Sequence, residues 1–154
     1  MKKMNNKGFS LVELIVVVLI MAIIAVALAP QVMKWVENSR ISTDCDTYDG
    51  LIANIQVALT DKDAYALAKP SSFSKTFTIG TSGTTYNGTP GTTYGKTDGD
   101  AVAKALYKVN PQWYTAKKKV SSGSDYVITV AGDGTTISVD RTTPPDTAGN
   151  ADLS

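Results

Sequence analysis

Few side chains in this sequence are placed to do chemistry, and the first of them stands where a charge is hardest to hold. Glu13 closes the stretch Lys7-Gly8-Phe9-Ser10-Leu11-Val12-Glu13, and the run LIVVVLIMAIIAVALAP follows it without a charge. A carboxylate in a membrane-spanning helix costs about 2.5–3.5 kcal/mol at mid-depth and less near the interface. An acid in such a place needs a named partner, and the chemistry open to it is pairing with a cation.

The rest of the inventory works by exclusion. The 154 residues contain no His and one Cys. Structural zinc takes about four His or Cys ligands, so a site of that type lacks donors. Ser-His-Asp and Cys-His machinery lacks its base. We therefore expect no enzyme, no cofactor and no metal site. Asp44, Asp46 and Asp49-Gly50 come near the calcium-loop pattern D-x-[DN]-x-[DN]-G, but the third acid and the glycine each fall one place late. On a helix they read as a solvated face. Pro90–Thr97, PGTTYGKT, misses the phosphate loop G-x-x-x-x-G-K-[ST] by one residue, and no apolar strand leads into it. Lys117-Lys118-Lys119, near Trp113 and Tyr114, could touch a nucleic-acid backbone and stack bases. That partner is weakly supported, and a solvated strand edge is the plainer reading of the run.

Hydropathy sets the elements that must carry these residues. Phe9–Ala29 has only two polar members, Ser10 and Glu13. Its 21 residues span roughly 30 Å as a helix, the thickness of a bilayer core. Lys2, Lys3 and Lys7 precede it with no acid, which holds the N-terminus in the cytoplasm and sends the rest outward. A secretory signal fits poorly. The run exceeds the usual length of about 7–15 residues, carries Glu13, and would place Pro30 directly after a cut at Ala27-Leu28-Ala29. A plain anchor explains the length and the lysines but not Glu13.

Pro30 deprives the Val26 carbonyl of its helical donor. A kink, or a local unwinding over Ala22–Pro30, is expected there, since Ile23, Ile24 and Val26 also lower helix propensity. Past Pro30, Ile41, Cys45, Tyr48, Ile52, Ile55 and Leu59 are spaced 4, 3, 4, 3, 4, one face of a helix. Arg40, Asp44, Asp46, Asp49 and Asn54 take the other side. One helix is thus expected from Phe9 to about Leu59, with Cys45 as a small buried apolar residue. Gly50 is its weak point, by about 1 kcal/mol against Ala.

The C-terminal part changes character. Asp61–Ala68 continues helical until Pro70, and Lys75–Ile79 forms a short strand. Thr81–Gly99 reads as a long surface loop, and Asp100–Val109 as a helix with Val102, Ala105, Leu106 and Val109 on one side. Gln112–Val120 is expected to be a strand. DYVITVA and TTISVD flank Gly132-Asp133-Gly134, a hairpin signal that puts Tyr126, Ile128 and Val130 on one face and Val127, Thr129 and Ala131 on the other. The end, RTTPPDTAGNADLS, reads as loose. The fold class is α+β: a long N-terminal α-helix, membrane-spanning in its first half, packed on a small antiparallel β-sheet head.

Gly8, Phe9, Glu13 and Pro30, with the apolar run between them, resemble the class III leader and helix of type IV pilins and pseudopilins. That family's pattern is a basic leader ending in Gly, an aromatic, a carboxylate four residues on, then an apolar run with a proline near its end. The resemblance covers about the first 30 residues. It implies a leader at 1–8, a transmembrane or filament-core helix at 9–30, its amphipathic half at 31–60, a head at 61–143 and a polar tail at 144–154. It also implies that prepilin peptidase cuts between Gly8 and Phe9, that Phe9 becomes an N-methylated terminus, and that Glu13 meets such a terminus on a neighbouring subunit and sets register. The chain would sit singly spanning the cytoplasmic membrane, and pilus assembly machinery would draw it into an extracellular helical homo-oligomer of the kind used in adhesion and motility. A pseudopilin of a type II secretion or DNA-uptake system is the alternative within the family. A membrane-anchored extracellular binding domain that never polymerises is the alternative outside it. The family often closes its C-terminal loop with a disulfide, which a lone Cys45 cannot do.

Overall fold

Sixteen consecutive apolar residues, Leu14–Ala29, have no polar group to satisfy except the backbone. A helix satisfies that backbone internally, and the computed structural model shows one α-helix, α1, over Leu11–Ala58. The structure describes residues 10–87, 89–90, 100–120 and 123–145. The chain divides into two units, Met1–Asn38 and Ser39–Ser154.

In the first unit the apolar side chains of α1 point outward all round. Leu11, Val18, Ile23 and Val26 are all well exposed, and so are Met33 and Trp35. The helix is long and apolar enough to cross a membrane, with a mean hydropathy of 3.2 in its best window. Pro30 lies inside α1, and Ala22–Pro30 is helical throughout, so the chain alone shows no unwinding there.

The second unit holds the C-terminal part of α1, then α2 (Lys62–Ala68), β1 (Ser74–Ile79), β2 (Thr84–Tyr86), β3 (Thr89–Pro90), α3 (Ala101–Val109), a 3-10 turn (Trp113–Thr115), β4 (Tyr126–Gly132) and β5 (Ile137–Thr143). The strands form one antiparallel sheet in the order β3-β2-β1-β4-β5. Phe77 pairs with Tyr86 on one side and Ile128 on the other. The core gathers Tyr48, Leu51 and Ile55 of α1, Phe77 and Ile79 of β1, Tyr126, Ile128 and Val130 of β4, Val102 and Leu106 of α3, and Trp113. The expected strand, hairpin and α3 positions hold, with Tyr126, Ile128 and Val130 inward and Val109 left at 38% exposure.

Four expectations change. The buried face of α1 is Asp44, Tyr48, Leu51, Ile55 and Ala58. It is turned from the expected stripe, so Ile41, Cys45 and Ile52 lie half-buried at its margin. Thr81–Gly99 contains β2 and β3, and Thr84 and Tyr86 are buried; residues 91–99 lie outside the described set. Gln112–Val120 is not a strand, because its donors are spent on different elements. Lys118 N–H bonds to Gly80 O, while Lys119 and Val120 N–H bond to Asp44. Finally, Arg141–Thr143 belongs to β5 rather than to a loose end, and Arg141 pairs with Asp49.

The hairpin connection is held by its own side chain. Asp133 Oδ1 accepts from Thr135 N–H and Thr136 N–H at 2.7 and 2.6 Å. Gly132 is required by contact: a Cβ there would lie 2.2 Å from Ala68 O and 2.5 Å from Lys69 O. Gly134 adopts φ 91° and donates its N–H to Lys69 O, so the end of α2 is stitched to the hairpin turn.

Candidate functional site: the first turn of α1 and the helix-to-head latch

Ser10-Leu11-Val12-Glu13 has the spacing of a helix-opening box, in which a residue three places on reaches back to the first free N–H. The geometry follows it. Ser10 N–H donates to Glu13 Oε2 at 2.9 Å, and Ser10 O accepts from Leu14 N–H to open the helix. A carboxylate near a helix N-terminus is also favoured by the exposed N–H groups and the helix dipole. Glu13 therefore has a local role that the sequence pattern carries in plain view and that the reading by hydropathy missed. One hydrogen bond leaves lone pairs free, since a carboxylate accepts about four. Gly8 and Phe9 lie outside the described residues.

A second carboxylate is the larger surprise. Asp44 does not sit on a solvated face; it is 1% exposed. Its Oδ1 accepts from Lys119 N–H at 2.7 Å, and its Oδ2 accepts from Lys119 N–H, Val120 N–H and the Tyr126 hydroxyl, each at 3.0 Å. Such bonds to an ionised group are roughly twice as strong as neutral ones. These bonds account for the rotated stripe of α1. The apolar pattern alone fits either Cys45 or Asp44 beside Tyr48, and the two backbone donors of the 118–120 segment select Asp44. Tyr48 adds a second tie, donating its hydroxyl to Val127 O at 2.8 Å.

The lysine run is divided by the same segment. Lys118 is buried, and its Nζ donates to Gly123 O and Ser124 O at 2.7 and 2.9 Å and lies 5.2 Å from the Tyr126 ring centre. Lys117 and Lys119 are exposed. Trp113 is 1% exposed, packed edge-on to Phe77, so it offers no face for a base. Of the two aromatics, Trp113 is part of the core and Tyr114 is half-buried at its margin. Asp46 and Asp49 are exposed, and among the described residues no group of three His, Cys, Asp or Glu is arranged for a metal. Cys45 is half-buried. Pro90 of the near phosphate loop is a strand residue paired with Thr85.

Two surface carboxylates are acidified by their surroundings. The Lys108 ammonium, bonded at 3.0 Å, and the N–H groups of Asp63 and Ala64 hold the Asp61 carboxyl below its ordinary value. The Thr136 and Thr135 N–H groups, then the Thr136 hydroxyl, do the same for Asp133. Asp61 is the N-cap of α2, and Asp100, which accepts from Ala103 N–H and the Tyr86 hydroxyl, is that of α3.

Comparison with known proteins gives one finding, at the N-terminus. Residues 3–29 match the family model described as the prokaryotic N-terminal methylation motif. Neither the curated proteins nor the solved structures contain a match to the chain. The match spans Lys3, Lys7, Gly8, Phe9, Glu13 and the apolar run up to the residue before Pro30. Residues 3–29 thus carry the methylation motif found in the class III signal peptide of type IV pilin-like proteins, which supports a pilin-like or pseudopilin precursor.

Proposed function

We propose that the protein is the structural subunit of a type IV pilus. Prepilin peptidase hydrolyses the Gly8–Phe9 amide, releasing residues 1–8 and leaving an ammonium on Phe9 that is then N-methylated. The cut removes Lys2, Lys3 and Lys7, leaving 12 basic side chains against 14 acidic, a side-chain charge of −2. The chain waits in the cytoplasmic membrane with its N-terminus inside. It then leaves the bilayer for the core of an extracellular filament.

The observation that carries this reading is the methylation motif at residues 3–29, joined to a helix whose apolar side chains are exposed among the described residues. Those side chains can be covered either by lipid or by copies of the same helix. Glu13 supports the second. Buried alone, a charge costs several kcal/mol, about enough to reject a subunit docked at the wrong height. Docked at the right height, Glu13 accepts from the Phe9 ammonium of a neighbour while still holding Ser10 N–H. Intact mass and N-terminal sequencing of protein from sheared cell-surface material test the proposal. A start at N-methylated Phe9 in abundant filaments is expected. An intact Met1 overturns the cleavage. Cleaved protein found only in short, scarce fibres points to a pseudopilin, and cleaved protein that never leaves the membrane points to an anchored binding domain.

A further inference from the structure

A cleft of about 300 Å3 opens within the second unit, between α1 and the segment 110–116. Asp46, Gly50 and Asn54 line it from α1, each four residues from the next and so in one row. Gln112, Trp113 and Thr115 line it from the other side. Gly50 leaves it wide, since a Cβ there would meet no atom within 4 Å. The polar groups around the cleft are largely uncommitted. Among the described residues the side chains of Asp46, Asn54 and Gln112 have no hydrogen-bond partner. The Thr115 hydroxyl donates to Gln112 O but keeps its lone pairs. Trp113 is 1% exposed, and among the described residues its buried Nε1–H has no acceptor. A buried donor left unmet is an exception in folded proteins and calls for a missing partner.

The donor and acceptor set narrows the occupant. No Lys or Arg lines the cleft, so an anion finds no counter-charge. Among the described residues no group of three acids, His or Cys stands ready for a metal. The indole is buried, so it offers no face on which an aromatic ligand could stack. What remains is a carboxylate that only accepts, an indole N–H that only donates, and two carboxamides that do both. Adjacent sugar hydroxyls, each a donor and an acceptor, complement that mixture. We propose that this cleft binds one neutral sugar ring. Asp46 accepts from two neighbouring hydroxyls, Asn54 and Gln112 each donate and accept, and the deepest hydroxyl accepts from Trp113 Nε1–H. That N–H is shielded from solvent, so meeting it takes a slight parting of the two walls. The volume lies at the small end of ligand pockets and holds a single ring. The inference goes beyond filament formation and does not rest on it.

The test uses full-length, isotope-labelled chain in detergent micelles, followed by NMR. The chain has two tryptophans, and Trp35→Phe leaves the Trp113 indole as the reporter. The probes are the methyl glycosides of glucose, galactose and mannose, and N-acetylglucosamine, with glycerol as a control polyol. At least one sugar should shift the Trp113 Nε1–H resonance saturably, with a dissociation constant of about 1 mM, and glycerol should not. Asp46→Ala should weaken that binding about tenfold through loss of a charged acceptor. Gly50→Leu should abolish it by filling the cleft. Its unfolding midpoint should not fall, because Leu favours a helix over Gly and the side chain starts in open space. That midpoint separates a blocked cleft from a damaged fold. No saturable shift with any of the sugars overturns the proposal. A shift matched by glycerol, or one that survives both Asp46→Ala and Gly50→Leu, overturns it too. A Trp113 shift that follows protein concentration without sugar also overturns it and assigns the cleft to a second copy of the chain.

Discussion

Glu13 has two candidate duties, and they separate by substitution. Its carboxylate caps Ser10 N–H within the chain, and its charge is available to an ammonium from outside. Glu13→Gln keeps an oxygen for the cap and removes the charge; Glu13→Leu removes both. We expect Glu13→Gln to reach the membrane at ordinary levels while sheared filament yield falls at least about tenfold, the factor that 1.4 kcal/mol represents. Wild-type yield from either variant would remove Glu13 from assembly. Asp44 acts on stability instead. Asp44→Ala leaves two backbone donors and the Tyr126 hydroxyl short of an acceptor, and should cost about 2–4 kcal/mol in urea unfolding. Asp44→Asn, which retains one acceptor oxygen, should cost less. A loss under about 0.5 kcal/mol for Asp44→Ala would mean that water replaces the carboxylate there.

Asp61 and Asp133 contribute to the acid limb of the stability profile. Both have folded-state pKa values below the ordinary 3.8. Around and below that value the unfolded chain binds protons that the folded chain does not, so stability falls as pH drops. The contribution of each is complete above 3.8 and is lost as pH passes down through the folded value. Unfolding midpoints should therefore be flat near neutrality and decline in strongly acid buffer. The decline should be shallower in Asp133→Asn, and in Asp61→Asn, which keeps an N-cap but gives up the Lys108 ion pair. An unchanged acid slope in both variants would contradict the assignment. These residues also mark where sequence reading stops. The motif at residues 3–29 was legible because it lies in spacing along one chain. Asp44 was not, because its partners are 75 and more residues away, and no periodicity encodes a backbone donor delivered from that distance.

At the scale of elements, local signals and tertiary ones divide cleanly. The β4–β5 hairpin and α3 were readable from alternation, helical spacing and turn residues. Gln112–Val120 alternates well enough for a strand, yet it becomes a 3-10 turn and a strap. Trp113 goes into the core, Lys118 goes into a carbonyl cage, and Asp44 takes the next two N–H groups. The short β2 was hidden in a Thr- and Gly-rich stretch because three residues carry too little pattern. Gly132 is where three elements meet, since the carbonyls of Ala68, Lys69 and Pro70 close over it. Gly132→Ala should push the α2 end off the hairpin and cost about 2–4 kcal/mol, in the range of severe overpacking. Hydrogen exchange should then rise first at Gly134 N–H, whose acceptor is Lys69 O. A variant as stable as the parent would show that the α2–β1 connection yields freely.

For the whole molecule the proposed cleavage would change charge rather than fold. The full sequence carries +1, and the proposed loss of Lys2, Lys3 and Lys7 would make the side-chain sum −2. Under the proposed cleavage, the positive flank that would fix orientation in the membrane is discarded once it has acted. In isoelectric focusing, mature protein should run more acidic than the precursor. Blocking cleavage by Gly8→Ala or a bulkier residue should leave only the basic species. Co-migration of the two forms would mean that the lysines stay on the chain.

The sheet ends in β3 on one side and β5 on the other among the described strands. β3 is two residues long and contains Pro90, which has no N–H to offer. β5 places Asp140 and Arg141 side by side on its rim. Subunits stacked in a fibre hold their heads at enormous local concentration, the condition under which open sheet edges zip together into irreversible aggregates. A short, proline-tipped edge and a charged one are poor templates for that pairing. In the proposed fibre, crowded heads with such edges would press together and still come apart as individual folded molecules.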